Sequence, residues 1–474
     1  MKILYASSEA YPFAMSGGLA DVAGALPKAL RRRLIGCRVV MPLYGCVSEE
    51  MRANMTFITS ITVPVSWRRQ YCGVFEAHVD GVIYYLIDNQ YYFKRDGLYG
   101  HYDDAERFAF FSRAVLEIIP HIGFTPDIIH CNDWQTAMIP VYLTEMYRYN
   151  DLYKDIKTVF TIHNIQYQGK YGRELYGDVL GLPEGRESLL EYDGCINLMK
   201  AAIQCSDKVT TVSPTYAKEI LDPYYSHGLD EILKQFTYKL TGIVNGIDYD
   251  VYNAETDPLI YKNFTIDNLE DKSYNKKCLQ EEMGLPIRDD VPIIGIVTRL
   301  VKHKGLDLVK HVFEEMLAAD LQFVILGSGE WEFETFFHEM ATRYPEKVAL
   351  KLGFIPQLAH KIYAGADIFL MPSQSEPCGL AQMVALRYGT VPIVRKTGGL
   401  NDTISDSGDG KGNGFTFQNY NAHDMQNAVW RALAGYADKE GWNMLRKRGM
   451  EYNSSWSASA SLYIGLYREL SGKR

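Results

Sequence analysis

Glu376 lies in the stretch Ser375-Glu376-Pro377-Cys378-Gly379-Leu380, just before apolar residues at helical spacing, Leu380, Met383, Val384 and Leu386. A helix start leaves its first amide N–H groups without partners, and its dipole favours an anion. A carboxylate there fits two descriptions. It holds a polar ligand such as a sugar, with phosphate oxygens on the amides of Gly379 and Leu380, or it only stabilises the helix. Arg299 and Lys304, in Thr298-Arg299-Leu300-Val301-Lys302-His303-Lys304-Gly305, stand at a strand end and a helix start. Two cations so placed either clamp a diphosphate or form a solvated basic turn. His163 follows an apolar run and is either structural or functional. Gly17-Gly18 lets backbone amides approach a ligand such as a pyrophosphate, or is a plain turn.

Other chemistries lack their residues. There is no GxGxxG fingerprint and no GK[ST] phosphate loop. No Ser-His-Asp order, carboxylate pair or metal cluster can be defended. Asp248-x-Asp250 resembles a metal-binding D-x-D, but so short a triplet arises by chance in a long acidic chain, and it is set aside. What remains is stabilisation of a leaving group, with cations and helix dipoles holding a departing diphosphate, as in transfer of a sugar from a nucleotide.

These residues need a scaffold that aims them. Apolar runs at 2–7, 37–43, 127–130, 158–162 and 207–212 read as strands, each ending in a polar cluster. A second series follows at 293–297, 323–326, 348–352, 366–371 and 391–394. Strands alternating with helices imply parallel sheets, whose ligands bind at the carboxyl ends of the strands. The expected fold class is α/β, two facing Rossmann-like domains with a cleft between them. The first domain spans 1–244, completed by a C-terminal helix at 455–474; the second spans 245–454. The polar stretch 253–290 reads as a junction. Residues 57–88 read as a small antiparallel excursion turning at Asp80-Gly81. Residues 91–100, dense in aromatics, read as a loop that either stacks a polysaccharide or packs on the surface. Helices are expected at 105–119, 422–435, 440–450 and 455–470.

A chain of 474 residues is too long for one core. Its 47% apolar and 23% charged content is ordinary for a soluble protein. A net charge of -9 argues against nonspecific binding to nucleic acid or anionic membrane. The 8 cysteines are scattered without a C-x-x-C pair, so neither a disulfide framework nor a zinc ribbon is expected. No run approaches a membrane-spanning length, and a cytoplasmic protein is expected.

Taken together, SGGLADV at Ser16, HCNDWQT at His130, TIHNIQYQG at Thr161, VNGID at Val244, TRLVKHKG at Thr298, SEPCGLAQ at Ser375 and RKTGGLNDT at Arg395 make the chain recognisable. It resembles, over essentially its whole length, the bacterial glycogen synthase and plant starch synthase family, retaining glucosyltransferases of the GT-B fold. The resemblance implies ADP-glucose as donor, an α-1,4-glucan as acceptor, and no metal or other cofactor. It implies that Arg299 and Lys304 hold the diphosphate and that Glu376 and His163 bind the transferred glucose. Gly17, Gly18, Asp21, Asn245, Phe354, Cys378, Gly379 and Leu380 would complete the donor site. Phe354 would pack on adenine, and Asp133, Tyr92 and Tyr99 would lie toward the acceptor.

The chain departs from that pattern at Met15, where the family has Lys, at Gln374 for a common Arg, and at Ala381 for a common Thr. Each loss would weaken donor binding by about 1–3 kcal/mol. The alternatives these departures raise are a preference for UDP-glucose and a catalytically weak glucan-binding relative. Lys304, at a strand end, is expected to support no core, so that its removal would cut turnover by far more than it harms folding.

Overall fold

The computed structural model describes residues 1–473; Arg474, the last residue of the expected closing segment, lies outside them. The chain forms two compact units. One comprises Met1–Gly246 and the C-terminal segment from Trp456, the other Ile247–Ser455. No helix among the described residues is long and apolar enough to cross a membrane.

The strands of the first unit, in chain order, are β1 (Lys2–Ala6), β2 (Gly36–Pro42), β3 (Thr56–Val65), β4 (Arg68–Val79), β5 (Val82–Asp88), β6 (Ile128–Asn132), β7 (Lys157–Ile162), β8 (Lys170–Tyr171), β9 (Glu191–Tyr192), β10 (Cys195–Asn197), β11 (Lys208–Thr211) and β12 (Leu240–Gly242). Strands β8 to β10 make a small separate sheet. The other nine form one sheet in the order β12-β11-β7-β6-β1-β2-β5-β4-β3. Pairing is parallel from β12 to β5 and antiparallel beyond. The 57–88 segment is therefore an extension of the main sheet rather than a separate excursion. The reason lies in β5: its Val-Ile-Tyr-Tyr-Leu-Ile run is mostly buried, and Val39 of β2 pairs with its Tyr84. Strand β3, at the edge, is mostly exposed along its first half. Asp80 and Gly81 turn with φ of 50° and 77°, which suits a two-residue hairpin loop.

The second unit holds β13 (Ile293–Val297), β14 (Gln322–Gly327), β15 (Val348–Leu352), β16 (Ile368–Met371), β17 (Val391–Arg395) and β18 (Phe415–Phe417). They form a six-stranded parallel sheet in the order β15-β14-β13-β16-β17-β18, the doubly wound order. Alternate residues face opposite layers. Ile294, Ile296, Phe323 and Ile325 pack with Val309, Phe313 and Val429 on one face. Ile293, Val324 and Leu326 pack with Leu279 and Ile362 on the other. Each such side chain, fully buried, contributes roughly 1.5–3 kcal/mol.

The polar stretch at 253–290 is part of the second unit, not a junction. Its helix Asp271–Met283 lies against helix Pro356–Gly365, and Lys272, Asn275, Lys276 and Gln280 are buried with their polar heads bonded. Of the closing helices, Ala422–Ala437 and Lys439–Glu451 belong to the second unit. Helix Trp456–Ser471 returns to the first, lies against helix Gly18–Arg32, and sets Tyr467 Oη 2.6 Å from His130 Nδ1.

Candidate functional site

In the second unit the chain order reverses between β13 and β16, which opens a crevice at the carboxyl ends of those strands. The two loops that leave there meet. Lys304 Nζ lies 2.6 Å from Glu376 Oε2, and Ser373 Oγ donates to the same oxygen at 3.0 Å. The Lys304 and Glu376 side chains keep only 18% and 10% of their exposure. The loops also touch through their backbones: Gln374 N donates to His303 O at 2.9 Å. Gly305 has φ +78°, and a Cβ there would sit 2.1 Å from Pro372 O, so only glycine lets the loops close on each other. Gly398 does the same for the Glu376 loop from behind, with φ +43° and a Cβ position 1.9 Å from Glu376 O.

Arg299 is exposed on the β13 loop, and Phe354, 80% exposed, ends the β15 loop. Cys378 is buried and Gly379 takes φ +70°. The helix begins at Ala381, so the amides of Gly379 and Leu380 precede it instead of forming its first turn. Gln374 and Ala381 are half-buried at this site. Desolvation, then the Lys304 and Arg299 charges, hold His303 below its ordinary pKa.

The first unit has its own reversal, between β1 and β6. Glu9, on the loop after β1, is buried and accepts from Ser16 N at 2.6 Å, from Ser16 Oγ at 2.8 Å and from Gly17 N. It thereby fixes the loop carrying Gly17 and Gly18, both exposed, at the start of helix Gly18–Arg32. Asp133, just past β6, has φ +55° and ψ −179°, a region non-glycine residues avoid at a cost of about 1–3 kcal/mol. Its carboxylate holds that conformation by accepting from His163 N at 2.8 Å and Asn164 N at 3.4 Å.

His163 Nε2 donates to Asn132 Oδ1 at 2.9 Å, while Asn132 Nδ2 donates to Ala6 O at 2.9 Å. The amide orientation fixes the tautomer and leaves Nδ1 an acceptor. Burial lowers the His163 pKa to about 3, so the ring is neutral at pH 7. The carboxyls go the other way. Burial raises Glu9 and Asp133 to about 7 and Asp21 to about 6. Met15, beside Ser16, is 44% exposed and brings no counter-charge to these acids.

Sequence reasoning missed Glu9. The available signal was an acidic residue in an otherwise small and apolar loop directly after a buried strand. Asn245 is buried, and its Oδ1 has no hydrogen-bond partner among the described residues.

Tyr92, expected toward the acceptor, offers no open ring face to a ligand. It lies in a helical turn, Gln90–Phe93, is fully buried against Phe110, and bonds Glu106 through its hydroxyl. Tyr99 is also largely enclosed, with its hydroxyl 2.7 Å from Ser8 Oγ and its ring against Phe108. The exposed aromatics of this region are Tyr91 and Tyr102. Asp248 Oδ1 accepts from Asp250 N at 2.9 Å, a local turn. Among the described residues no group of three or more His, Cys, Asp or Glu could hold a metal ion.

Known proteins with this architecture share its sequence. Residues 2–235 match the family model of the starch synthase catalytic domain, and 280–449 match that of glycosyl transferases group 1. A glycogen synthase of Geobacillus thermodenitrificans (strain NG80-2) is 54% identical over 475 residues, covering 99% of this chain and 98% of the relative. A glycogen synthase of Bacillus cereus (strain ATCC 10987 / NRS 248) is 52% identical over 474 residues, 99% and 100% of the two chains. The catalytic domain of starch synthase IV from Arabidopsis thaliana, solved with ADP and acarbose, superposes with a TM-score of 0.92 at 35% identity, covering 99% of each chain. Sucrose-phosphate synthase from Thermosynechococcus elongatus, at 18% identity and TM-score 0.61 over both whole chains, shares the fold.

Proposed function

This chain belongs to the glycogen synthase and starch synthase family of glycosyltransferases, and from that premise we propose that it transfers glucose from ADP-glucose to the non-reducing end of an α-1,4-glucan, with retention and release of ADP. The observation that carries the reading is the meeting of Lys304 and Glu376 at the switch point of the second unit. A cation able to bind a diphosphate and a carboxylate able to accept from hydroxyls are the two groups a nucleotide sugar requires at its reacting bond. The solved Arabidopsis relative, which binds ADP and acarbose, supports the same substrate classes.

In this reading Lys304 leaves Glu376 for the diphosphate when donor binds, and Arg299 adds the second positive charge. Glu376 then accepts from the glucose hydroxyls. The amides of Cys378, Gly379 and Leu380 bind the glucose and its phosphate, and Gly17, Gly18 and Asp21 contribute further donor contacts. Phe354 packs on adenine. His163, neutral and with Nδ1 an acceptor, takes a hydrogen bond from the 6-hydroxyl, and Asn245 lines the glucose. Asp133 holds the His163 backbone so that its carbonyl faces the reacting carbon.

The bond from glucose C1 to the phosphate oxygen breaks as the acceptor hydroxyl attacks from the same face. The hydroxyl proton passes to the departing phosphate, so no protein nucleophile is needed. Arg299 and Lys304 supply the positive charge the leaving group requires, and the reading calls for no metal. Its compartment is the cytoplasm.

Mixing the chain with ADP-glucose and glycogen tests the proposal. ADP release and glucan elongation are expected; no ADP above background at saturating donor would overturn it. UDP-glucose in parallel measures donor choice, which the uncharged Met15 makes the sensitive quantity.

A further inference from the structure

Behind His163 lies a row of polar side chains that no ligand can touch. Tyr5, His130 and Asn132 are fully buried, whereas His163 is half-buried. Side chains alternate along a strand, so His130 and Asn132 share one face of β6, and Thr161 shares a face with His163, which follows β7. The register pairs His130 with Val159 and Asn132 with Thr161. Each β6 side chain bonds the position two residues beyond its register partner. His130 Nε2 lies 2.6 Å from Thr161 Oγ1, and Asn132 Oδ1 lies 2.9 Å from His163 Nε2. Strand β1 adds Tyr5, the register partner of His130. Its ring meets the His130 ring edge-on at 4.7 Å, and its hydroxyl donates to Asn132 Oδ1 at 3.0 Å. His130 is held in turn by Tyr467 of the closing helix, whose Oη is 2.6 Å from its Nδ1.

The Asn132 amide has no freedom in this row. Its Oδ1 accepts from both His163 Nε2 and Tyr5 Oη, while its Nδ2 donates to Ala6 O at 2.9 Å and lies 3.5 Å from His130 O. An amide offers two lone pairs and two protons, and all four are engaged. Turning it over would set its oxygen against two carbonyl oxygens and its NH2 group against the His163 N–H. No water reaches the site to replace the lost bonds. Tyr5 takes the second lone pair of Oδ1, so the amide oxygen is held from the side opposite the histidine. An imidazole on a loop otherwise rotates about its own side-chain bonds, and hydrogen bonds weaken steeply when misaligned. A fixed bond at Nε2 therefore sets where Nδ1 points.

We infer that Tyr5 and Asn132 are positioning residues that aim the His163 ring at the 6-hydroxyl of the transferred hexose, and so set the preference for a donor sugar that carries one. The inference rests on the reading of His163 as that hydroxyl's partner. Neither Tyr5 nor Asn132 has exposed surface, so each acts on the sugar only through His163. Their effect on transfer should therefore exist with a sugar that has the 6-hydroxyl and vanish with one that lacks it.

Kinetics of the full chain with ADP-glucose and with ADP-6-deoxyglucose test this. Tyr5→Phe keeps the ring against His130 and removes the hydroxyl; Asn132→Leu keeps the volume and removes the acceptor. Asn132→Leu should lower kcat/KM for ADP-glucose about tenfold, Tyr5→Phe severalfold, and neither should change it for the 6-deoxy donor. If Asn132→Leu does not fold, Tyr5→Phe decides alone. A loss of general structure lowers both donors alike. Equal losses, with the wild-type preference for ADP-glucose intact, would overturn the inference and leave the reading of His163 standing. Imidazole 15N shifts at pH 7, with His163 assigned by its absence in His163→Gln, read the ring without turnover. The wild type should show Nε2 protonated and Nδ1 bare, and both variants a mixture of tautomers; unchanged shifts in both would also overturn the inference. A wild type that uses the two donors equally would instead remove the 6-hydroxyl reading of His163, and the nitrogen shifts then decide whether Tyr5 and Asn132 hold the ring.

Discussion

Lys304 Nζ and Glu376 Oε2 are 2.6 Å apart although 72 residues separate them in the chain. The pair explains both what the ligand-free site needs and what a donor must displace. Glu376 is largely enclosed, and a carboxylate so placed requires a cation or several donors. Lys304 supplies that cation.

Removing Lys304 should therefore harm stability as well as turnover, because the lysine, though no part of a core, neutralises Glu376. Lys304→Ala leaves Glu376 with Ser373 Oγ alone, and should cost about 1–3 kcal/mol of stability, discounted for partial exposure. Turnover should fall by about 10²–10³ because the departing diphosphate loses its cation. The double variant Lys304→Ala/Glu376→Gln should regain most of the stability and none of the activity. Denaturation midpoints beside kcat for the three variants check this; full stability in Lys304→Ala would contradict the coupling.

Glu9 leads to a pH dependence of stability. Its pKa rises from the ordinary 4.5 to about 7, with burial the largest cause. An acid whose folded pKa is raised binds more protons folded than unfolded, so stability falls as pH rises from about 4.5 to 7. Asp133 and Asp21, raised from 3.8 to about 7 and about 6, act in the same direction. Glu9→Gln keeps an oxygen for Ser16 but cannot ionise. Its melting temperature should fall less steeply over that interval and exceed the wild type's at pH 8. Parallel curves for the two proteins would show that Glu9 does not carry the effect.

How legible was this in the letters? The parallel strands were, because buried strands such as β1 and β16 read as short continuous apolar runs. The Lys304 and Glu376 loops were legible as separate polar clusters at strand ends. Their contact was not, since it depends on strand order, and β13 lies beside β16 only through pairing across about 70 residues. The placement of β5 against β2 failed to show for the same reason. Glu9 was missed because its partners, the Ser16 and Gly17 amides and the Ser16 hydroxyl, belong to a glycine loop that reads as a plain turn. The burial of Tyr92 was not legible because a tyrosine in an aromatic-rich segment looks alike whether it stacks on a ligand or fills a core.

Tyr92 separates those two roles directly. Its hydroxyl bonds Glu106 and its ring fills a buried site. Tyr92→Phe should lower stability by about 1 kcal/mol and leave KM for glycogen unchanged. A selective rise in glycogen KM without loss of stability would return Tyr92 to the acceptor side. Tyr91, 63% exposed, is the better-placed neighbour, and Tyr91→Ala provides the comparison.

Met15 is the position where this chain can be moved toward its family's pattern. It is 44% exposed and precedes Ser16, whose N–H and hydroxyl are held by Glu9. Met15→Lys would place an ammonium one residue from the Ser16 that Glu9 holds, adding positive charge near an acid whose pKa burial has raised. Two effects follow from the same charge. The cation favours the ionised carboxylates, so stability above pH 7 should rise. It also meets the donor's phosphates, so KM for ADP-glucose should fall by about tenfold, the equivalent of about 1.4 kcal/mol, with kcat changed less. Steady-state kinetics with both nucleotide sugars measure the second effect and a melting series at pH 8 the first. If the melting temperature rises while donor KM stays fixed, the residue at 15 tunes the acidic cluster and has no part in holding phosphate.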